Sequence, residues 1–518
     1  MCDKMMLKAK ILELETGGKP IVIVNKEDAE DLGIRGLSRL VIKTKERKLT
    51  GIVNITTSIV EKGEIGLSES VAKTLNLAGG EEVEVEVAKF PSSLQHIKNK
   101  IKGKKLSYEE IFEIVKDTVE GNLSEGEIAS FVVALEAKGL DLDEAASLSL
   151  AMVETGKKLE LKKKIIVDKH SIGGIAGDKT TLLVVPIVAA AGLAIPKTSS
   201  RAITGAAGTA DRAEALMPVN LRIEEMKKVV EKTNGCIVWG GALHLAPADD
   251  VFIQAEYPLT IDPLLLPSIM AKKKAVGSKF LVVDIPTGRG AKTKTIGDAN
   301  LLAKDFIELG TRLGIKTQCA ITDGEQPIGY AVGPALEARE ALEVLMRRKN
   351  VQDLVDKAAH LAGILFEMVG KRNGYKLALE ILNSGKAEKK MREIIAAQGG
   401  CEKITPEEIQ VGENKLDIIA ERDGIVLWLN NAGINEVARA AGSPKDRGAG
   451  VLLYKKLNDK VSKGEKLLTI YAEKSRKLER AKEVFEENNV IGVGDRREML
   501  IQEVKEVPLH KKTFILER

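Results

Sequence analysis

The chain has 518 residues, more than one hydrophobic core usually serves, so several domains are expected. Lysine and arginine total 79 against 75 aspartates and glutamates, a formal net charge of +4 spread along the sequence, which argues against a nucleic-acid stripe and leaves room for a small anionic ligand. Cys2, Cys236, Cys319 and Cys401 lie far apart, with no CxxC pair and no histidine spaced for zinc, so a disulfide framework and a metal site are both disfavoured and reduced, buried thiols are expected.

The N-terminus lacks a long apolar core, and the apolar run 182–193 is broken by Pro186 and too short to span a bilayer. These features predict a cytoplasmic protein without membrane or nucleic-acid partners. In chain order, the first ninety or so residues contain an internal repeat: Asn25, Ala29, Leu32, Ile34, Gly36 and Leu40 recur as Ser68, Ala72, Leu75, Leu77, Gly79 and Val83. Each copy reads as an N-cap, a short helix, a glycine turn and a strand, which predicts a pseudo-symmetric β-barrel over 1–90. A small helical domain over 91–164 is announced by three capping boxes, Ser107 with Glu110, Ser124 with Glu127, and Asp141 with Glu144. Strands then alternate with helices, predicting an α/β domain over 165–415 with a mixed, mainly parallel sheet that binds phosphate and nucleotide. Short strands and turns predict a C-terminal α+β domain and tail over 416–518. The fold class is thus multidomain α/β.

Two segments carry chemistry. The first, 168–178, places Lys169, His170 and Ser171 before glycines 173, 174 and 177, with a strand in front and a helix starting near Thr181 behind. Unpaired amides at a helix N-terminus favour an anion, glycine admits close backbone approach, and Lys169, Ser171 and Thr181 can donate to phosphate. The stretch from Gly173 to Thr180 resembles GxxxxGK[ST], but Asp178 stands where the second glycine must precede lysine, so an ATPase loop is rejected. The second segment, 197–211, is dense in hydroxyls and small residues around Arg201, which can clamp phosphate through two nitrogens or pair with a structural carboxylate such as Asp211. Ser199 adds a hydroxyl to the phosphate set. His170 and His244 have no serine or cysteine partner at readable distance, and His170 is expected to donate a hydrogen bond within the loop.

Lys169-His170-Ser171 with its glycines, Ser200-Arg201 and Gly208-Thr209-Ala210-Asp211 resemble the thymidine phosphorylase family, as do Ala246-Pro247-Ala248-Asp249, the 268–273 stretch, the 322–329 stretch and Lys463-Gly464-Glu465. Within it, the N-terminal repeat and the wording Ser199-Ser200-Arg201-Ala202-Ile203-Thr204 are similar to the archaeal AMP phosphorylases. This resemblance implies cleavage of AMP and related nucleoside 5′-monophosphates by phosphate, giving free base and ribose 1,5-bisphosphate in nucleotide salvage, with no cofactor or metal. It implies a homodimer or larger homo-oligomer. It implies that Asp262 is the proton donor and that AMP is bound by Gly174, Ser200, Arg201, Ala202, Ile203, Thr204, Gly205, Thr209, Ser268 and Lys292, with Lys272 facing the base. Phosphate falls to Lys169, Ser171, Thr181 and Ser199.

Protonating a leaving base at neutral pH requires a carboxyl whose pKa is raised by apolar surroundings, and Pro258, Ile261, Leu264, Leu265 and Leu266 flank Asp262. Two departures from the family pattern stand out: Gly205 replaces a serine, and the segment from Asp262 to Ser268 is slightly shorter. A thymidine or pyrimidine-nucleoside phosphorylase, an anthranilate phosphoribosyltransferase-like transferase and a non-enzymatic assembly protein remain the alternatives. The polar donors Lys169, Ser171, Arg201, Thr209 and Lys292 weigh against the last.

Overall fold

The computed structural model describes residues 4–14, 16, 20–202 and 205–495. The N-terminal repeat becomes a closed barrel. Strand Ile21–Asn25, helix Lys26–Leu32 and strand Arg39–Lys43 are echoed by strand Glu64–Ser68, helix Glu69–Leu75 and strand Glu82–Val87. Strands Lys4–Leu12 and Lys48–Thr56 complete the ring, and Lys4–Leu12 closes it by pairing antiparallel with Glu82–Val87. The two short helices end in left-handed residues, Gly33 and Asn76. The alternation of 82–87 puts Val83 and Val85 in the barrel core, while Glu84 and Glu86 face Lys4 and Lys43 outside.

All three capping boxes form, starting helices Tyr108–Val119, Glu125–Lys138 and Leu142–Glu154. Their apolar faces do not close on themselves. Phe131, Leu148 and Met152 share a core with Phe252, Leu264 and Ala271, from the later helix Pro247–Glu256, its following turn and helix Leu265–Ala275. The segment bearing Asp262 is thereby mounted on the helical bundle, although it follows the first strands of the α/β domain in sequence.

In that domain Lys316–Asp323, Phe280–Thr287 and Val167–Ser171 lie side by side, all parallel. A bridge from Ile166 to Ala194 leads on to the parallel pair Ile195–Ser199 and Gly235–Trp239. Helix Thr181–Ala190 packs behind the sheet and is buried from Thr181 to Ala189, Pro186 included. Buried apolar runs of this kind suit a parallel sheet covered on both faces. Strand Ala331–Val332 leaves the domain and joins an antiparallel sheet with Gly450–Leu453, Lys466–Ala472 and Asn414–Ile419. That sheet and helix Asn431–Ala440 enclose a C-terminal core which also contains Ala176 and Ala206, one residue from each chemistry-bearing loop.

One expectation is corrected: Cys236 is buried and Cys319 half-buried, but Cys401 is exposed, because it lies in a surface turn after helix Lys386–Ala397; Cys2 lies outside the described residues. No helix among the described residues is long and apolar enough to cross a membrane.

Candidate active site

Strand Val167–Ser171 delivers the first loop. The Asp168 carboxylate accepts the Lys169 amide at 2.7 Å and lies 2.8 Å from the Lys273 ammonium, so it is neutralised inside the fold. Lys169 is buried with its Nζ 3.4 Å from the Thr181 hydroxyl; burial lowers its pKa, and the carboxylates of Asp178 and Asp284 oppose that fall. Burial, reinforced by Lys273, Lys197 and Lys169, holds His170 well below the usual histidine range, so its ring is neutral. The hydrogen bond expected from His170 does not form among the described residues, because the ring sits on the strand rather than in the loop.

Gly174 has a φ of +92°, and a side-chain carbon there would stand 2.8 Å from the Lys292 amide nitrogen. This close approach brings the glycine loop against the Gly288–Lys292 turn. The amides of Gly174 and Ile175 have no acceptor among the described residues, which leaves them available to an anion. The Ser171 hydroxyl accepts the Gly173 amide at 3.4 Å. Asp178 accepts from the Thr180 amide and hydroxyl just ahead of helix Thr181–Ala190; burial works against its charge, but Lys357 and Lys169 hold it well below the usual carboxylate range. Lys179 turns away to the carbonyls of Ile328 and Ala331 and the carboxylate of Glu340, at 2.7, 3.1 and 2.7 Å. The lysine a nucleotide-triphosphate loop would aim at phosphate is therefore structural, in keeping with rejection of that motif.

In the second loop the Ser199 hydroxyl is buried without a hydrogen-bond partner among the described residues, an arrangement folded proteins rarely tolerate unless something else satisfies it. Ser200 is exposed. Asp211 ties the loop by accepting the amides of Ala202 and Gly208 at 2.7 and 2.8 Å, and a side chain on Gly208 would meet the 200–202 backbone at 2.5–2.6 Å. Thr209 opens the short helix Thr209–Glu214, and the Ala206 amide beside Gly205 donates to Asn435 at 3.2 Å. Ile203 and Thr204 lie outside the described residues.

The Arg201 guanidinium is paired with carboxylates. Its two terminal nitrogens each bind Glu214 at 2.8 Å, one also binds Asp211 at 3.1 Å, and the guanidinium stacks 5.1 Å over Trp239. Glu214 in turn holds Arg447 at 2.9 Å, so Arg201 braces the loop toward the C-terminal domain.

The third group surrounds Asp262. Its carboxylate is 3.1 Å from the Lys292 ammonium, and each side chain is 48% exposed. The Asp262 carboxyl is half exposed rather than enclosed, and Leu264, expected beside it, is buried in the bundle core. The buried carboxyl is Glu256 instead, at the end of helix Pro247–Glu256: it accepts the Leu264 amide at 3.3 Å, and burial, then the charge of Asp262, pushes it up to about 8. On helix Leu265–Ala275, Lys272 lies 3.5 Å from the Ser268 hydroxyl and 2.5 Å from Asp249; burial opposes its charge, but the Asp249 carboxylate prevails and raises its pKa.

These three groups sit in a chain whose parts match known families. Residues 94–156 match the glycosyl transferase family helical bundle domain, 163–388 the glycosyl transferase family a/b domain, and 426–492 the pyrimidine nucleoside phosphorylase C-terminal domain. An AMP phosphorylase of Thermofilum pendens is 48% identical over 99% of this chain and 100% of its own length. Those of Pyrococcus furiosus and Methanocaldococcus jannaschii are 52% and 49% identical, each over 92% of this chain and 95% of their own. The chain belongs to the AMP phosphorylase family.

An anthranilate phosphoribosyltransferase from Thermus thermophilus superposes with a TM-score of 0.51 over 58% of this chain and 99% of its own, at 22% identity, which shows a shared fold over that share of the chain. Against the AMP phosphorylase motifs, the residues invisible to sequence reasoning are Glu214, Glu256 and Asn431. Glu214 and Glu256 sit on amphipathic helices where a carboxylate reads as a solvated face. Asn431, fully buried, opens a helix far along the chain, and its amide accepts from Ala176 in the glycine loop at 3.3 Å while donating to the Gly324 carbonyl at 3.1 Å.

Proposed function

We propose that this chain cleaves AMP, and with it other nucleoside 5′-monophosphates, by phosphorolysis to free base and ribose 1,5-bisphosphate. The observation that carries the proposal is near-full-length similarity to AMP phosphorylases combined with a buried Lys169–Thr181 pair beside unpaired loop amides. Lys169, Ser171, Thr181 and the unpartnered hydroxyl of Ser199 hold phosphate, and Gly174, Ser200, Ala202, Gly205, Thr209, Ser268 and Lys292 line the nucleotide, with Arg201 bracing the loop through Glu214.

A phosphate oxygen forms the new bond to C1 of the ribose as the bond from C1 to the base nitrogen breaks; its electron pair leaves with the base, which takes the proton of Asp262. Asp262 can serve as that acid once nucleotide covers it and draws Lys292 away, because losing both water and its ammonium partner favours the protonated carboxyl. The same proposal includes a cytoplasmic homo-oligomer. Incubating the chain with AMP or thymidine, with and without phosphate, tests it by base release. Phosphate-dependent release of adenine from AMP is expected; release from thymidine alone would establish a nucleoside phosphorylase, and no release from any nucleotide would remove the enzyme class.

A further inference from the structure

Both chemistry-bearing loops rest on one helix of the C-terminal domain. Asn431 and Asn435 stand one turn apart on helix Asn431–Ala440. The Asn431 side chain accepts the Ala176 amide of the glycine loop at 3.3 Å and donates to the Gly324 carbonyl at 3.1 Å, so its two amide atoms are oriented by their partners. It also fills the space beside Gly290, where a side-chain carbon would lie 2.5 Å from its Nδ2, and thereby touches the turn that carries Lys292. Asn435 accepts the Ala206 amide of the second loop at 3.2 Å. Each asparagine is matched by an apolar contact: Ala176 and Ala206, both 1% exposed, are part of the same core as Ile434, Val437 and Ala438 of this helix.

We propose that Asn431 and Asn435 are positioning residues: the helix Asn431–Ala440 mounts the phosphate loop and the nucleotide loop at a fixed separation, so that the C-terminal domain sets the distance between the attacking phosphate and the bond it breaks. The inference rests on the phosphorolysis proposed above. A rigid mount matters because a small misplacement of reacting groups is costly in rate. Neither asparagine touches substrate in this scheme; each acts through a backbone amide.

The test measures KM for phosphate and KM for AMP separately in the full chain, alongside thermal unfolding. Asn435→Ala, at a half-buried site, is expected to raise KM for AMP about five- to tenfold with KM for phosphate within about twofold, as for loss of one hydrogen bond to a loop. Asn435→Asp keeps the acceptor oxygen and is expected to restore most of that loss, a rescue that a purely structural defect would not show. Asn431→Ala should raise KM for phosphate preferentially. If it does not fold, the Asn435 pair alone decides. The inference is overturned if the Asn435 variants shift both constants alike, shift neither, or lose activity only in proportion to unfolded chain. A wild-type chain that releases no base from AMP would instead defeat the proposed function, and calorimetric titration of the same variants with AMP would still read the positioning effect.

Discussion

The two ends of the candidate site are built differently. At the proposed phosphate end, Lys169, Thr181 and Ser199 are all buried, and the charges of Asp168, Asp178 and Asp284 are balanced within the fold by Lys273, Lys357 and Lys169. At the proposed base end, Asp262 and Lys292 are half exposed and, among the described residues, their side chains hold only each other. Under the proposed function, the contrast means that one half of the chemistry is preorganised and the other is completed by the substrate. Preorganised donors in a water-poor setting stabilise developing charge strongly, whereas an exposed ion pair contributes little until water is displaced.

Replacing the buried ammonium should break the comparison most severely: Lys169→Met is expected to lower kcat/KM by about three orders of magnitude, read from initial rates of base release. An effect below about tenfold would mean that the preformed end is only scaffold. At the open end, Asp262→Asn should lower kcat by about two orders of magnitude while AMP affinity, followed by calorimetry, stays nearly constant. Unchanged turnover would take Asp262 out of the mechanism.

A smaller effect concerns Glu256, which links the two styles by being buried beside the exposed acid. Its carboxyl ionises near 4.5 when unfolded and is pushed up to about 8 in the fold. Between those values the native chain retains a proton that the unfolded chain has released, so this group makes stability fall as pH rises through the window. Glu256→Gln removes that fall. Its unfolding free energy should gain on wild type from pH 5 to pH 8 and then level off, by about 2 kcal/mol once the unscreened value is roughly halved for solvent screening. Parallel curves for the two proteins would show that Glu256 is ionised in the fold at neutral pH. The smallest effect belongs to the exposed pair: Lys292→Ala should shift the unfolding temperature by no more than about 2 °C while raising KM for AMP. A larger shift in unfolding temperature would show that the base end is also preformed.

What can be read from the sequence follows the range of the forces involved. The capping boxes at Ser107, Ser124 and Asp141, the paired halves of the barrel and the strand–loop–helix around 168–181 are local patterns, set by hydrogen bonds between near neighbours or by periodicity, and all are present. The partners of the site residues are not local. Glu214 holds Arg201 only because the short helix after Gly208 folds back, and Asn431 reaches Ala176 across 255 positions. The exposure of Asp262 is equally hidden, since a run of leucines beside a carboxylate does not reveal which core those leucines enter.

The most direct test is calorimetric titration of the full chain with inorganic phosphate in the absence of nucleotide, for wild type and Lys169→Met. A preformed phosphate end predicts saturable binding by wild type that is lost in the variant; equal binding by both, or binding by wild type only after AMP is added, would contradict it.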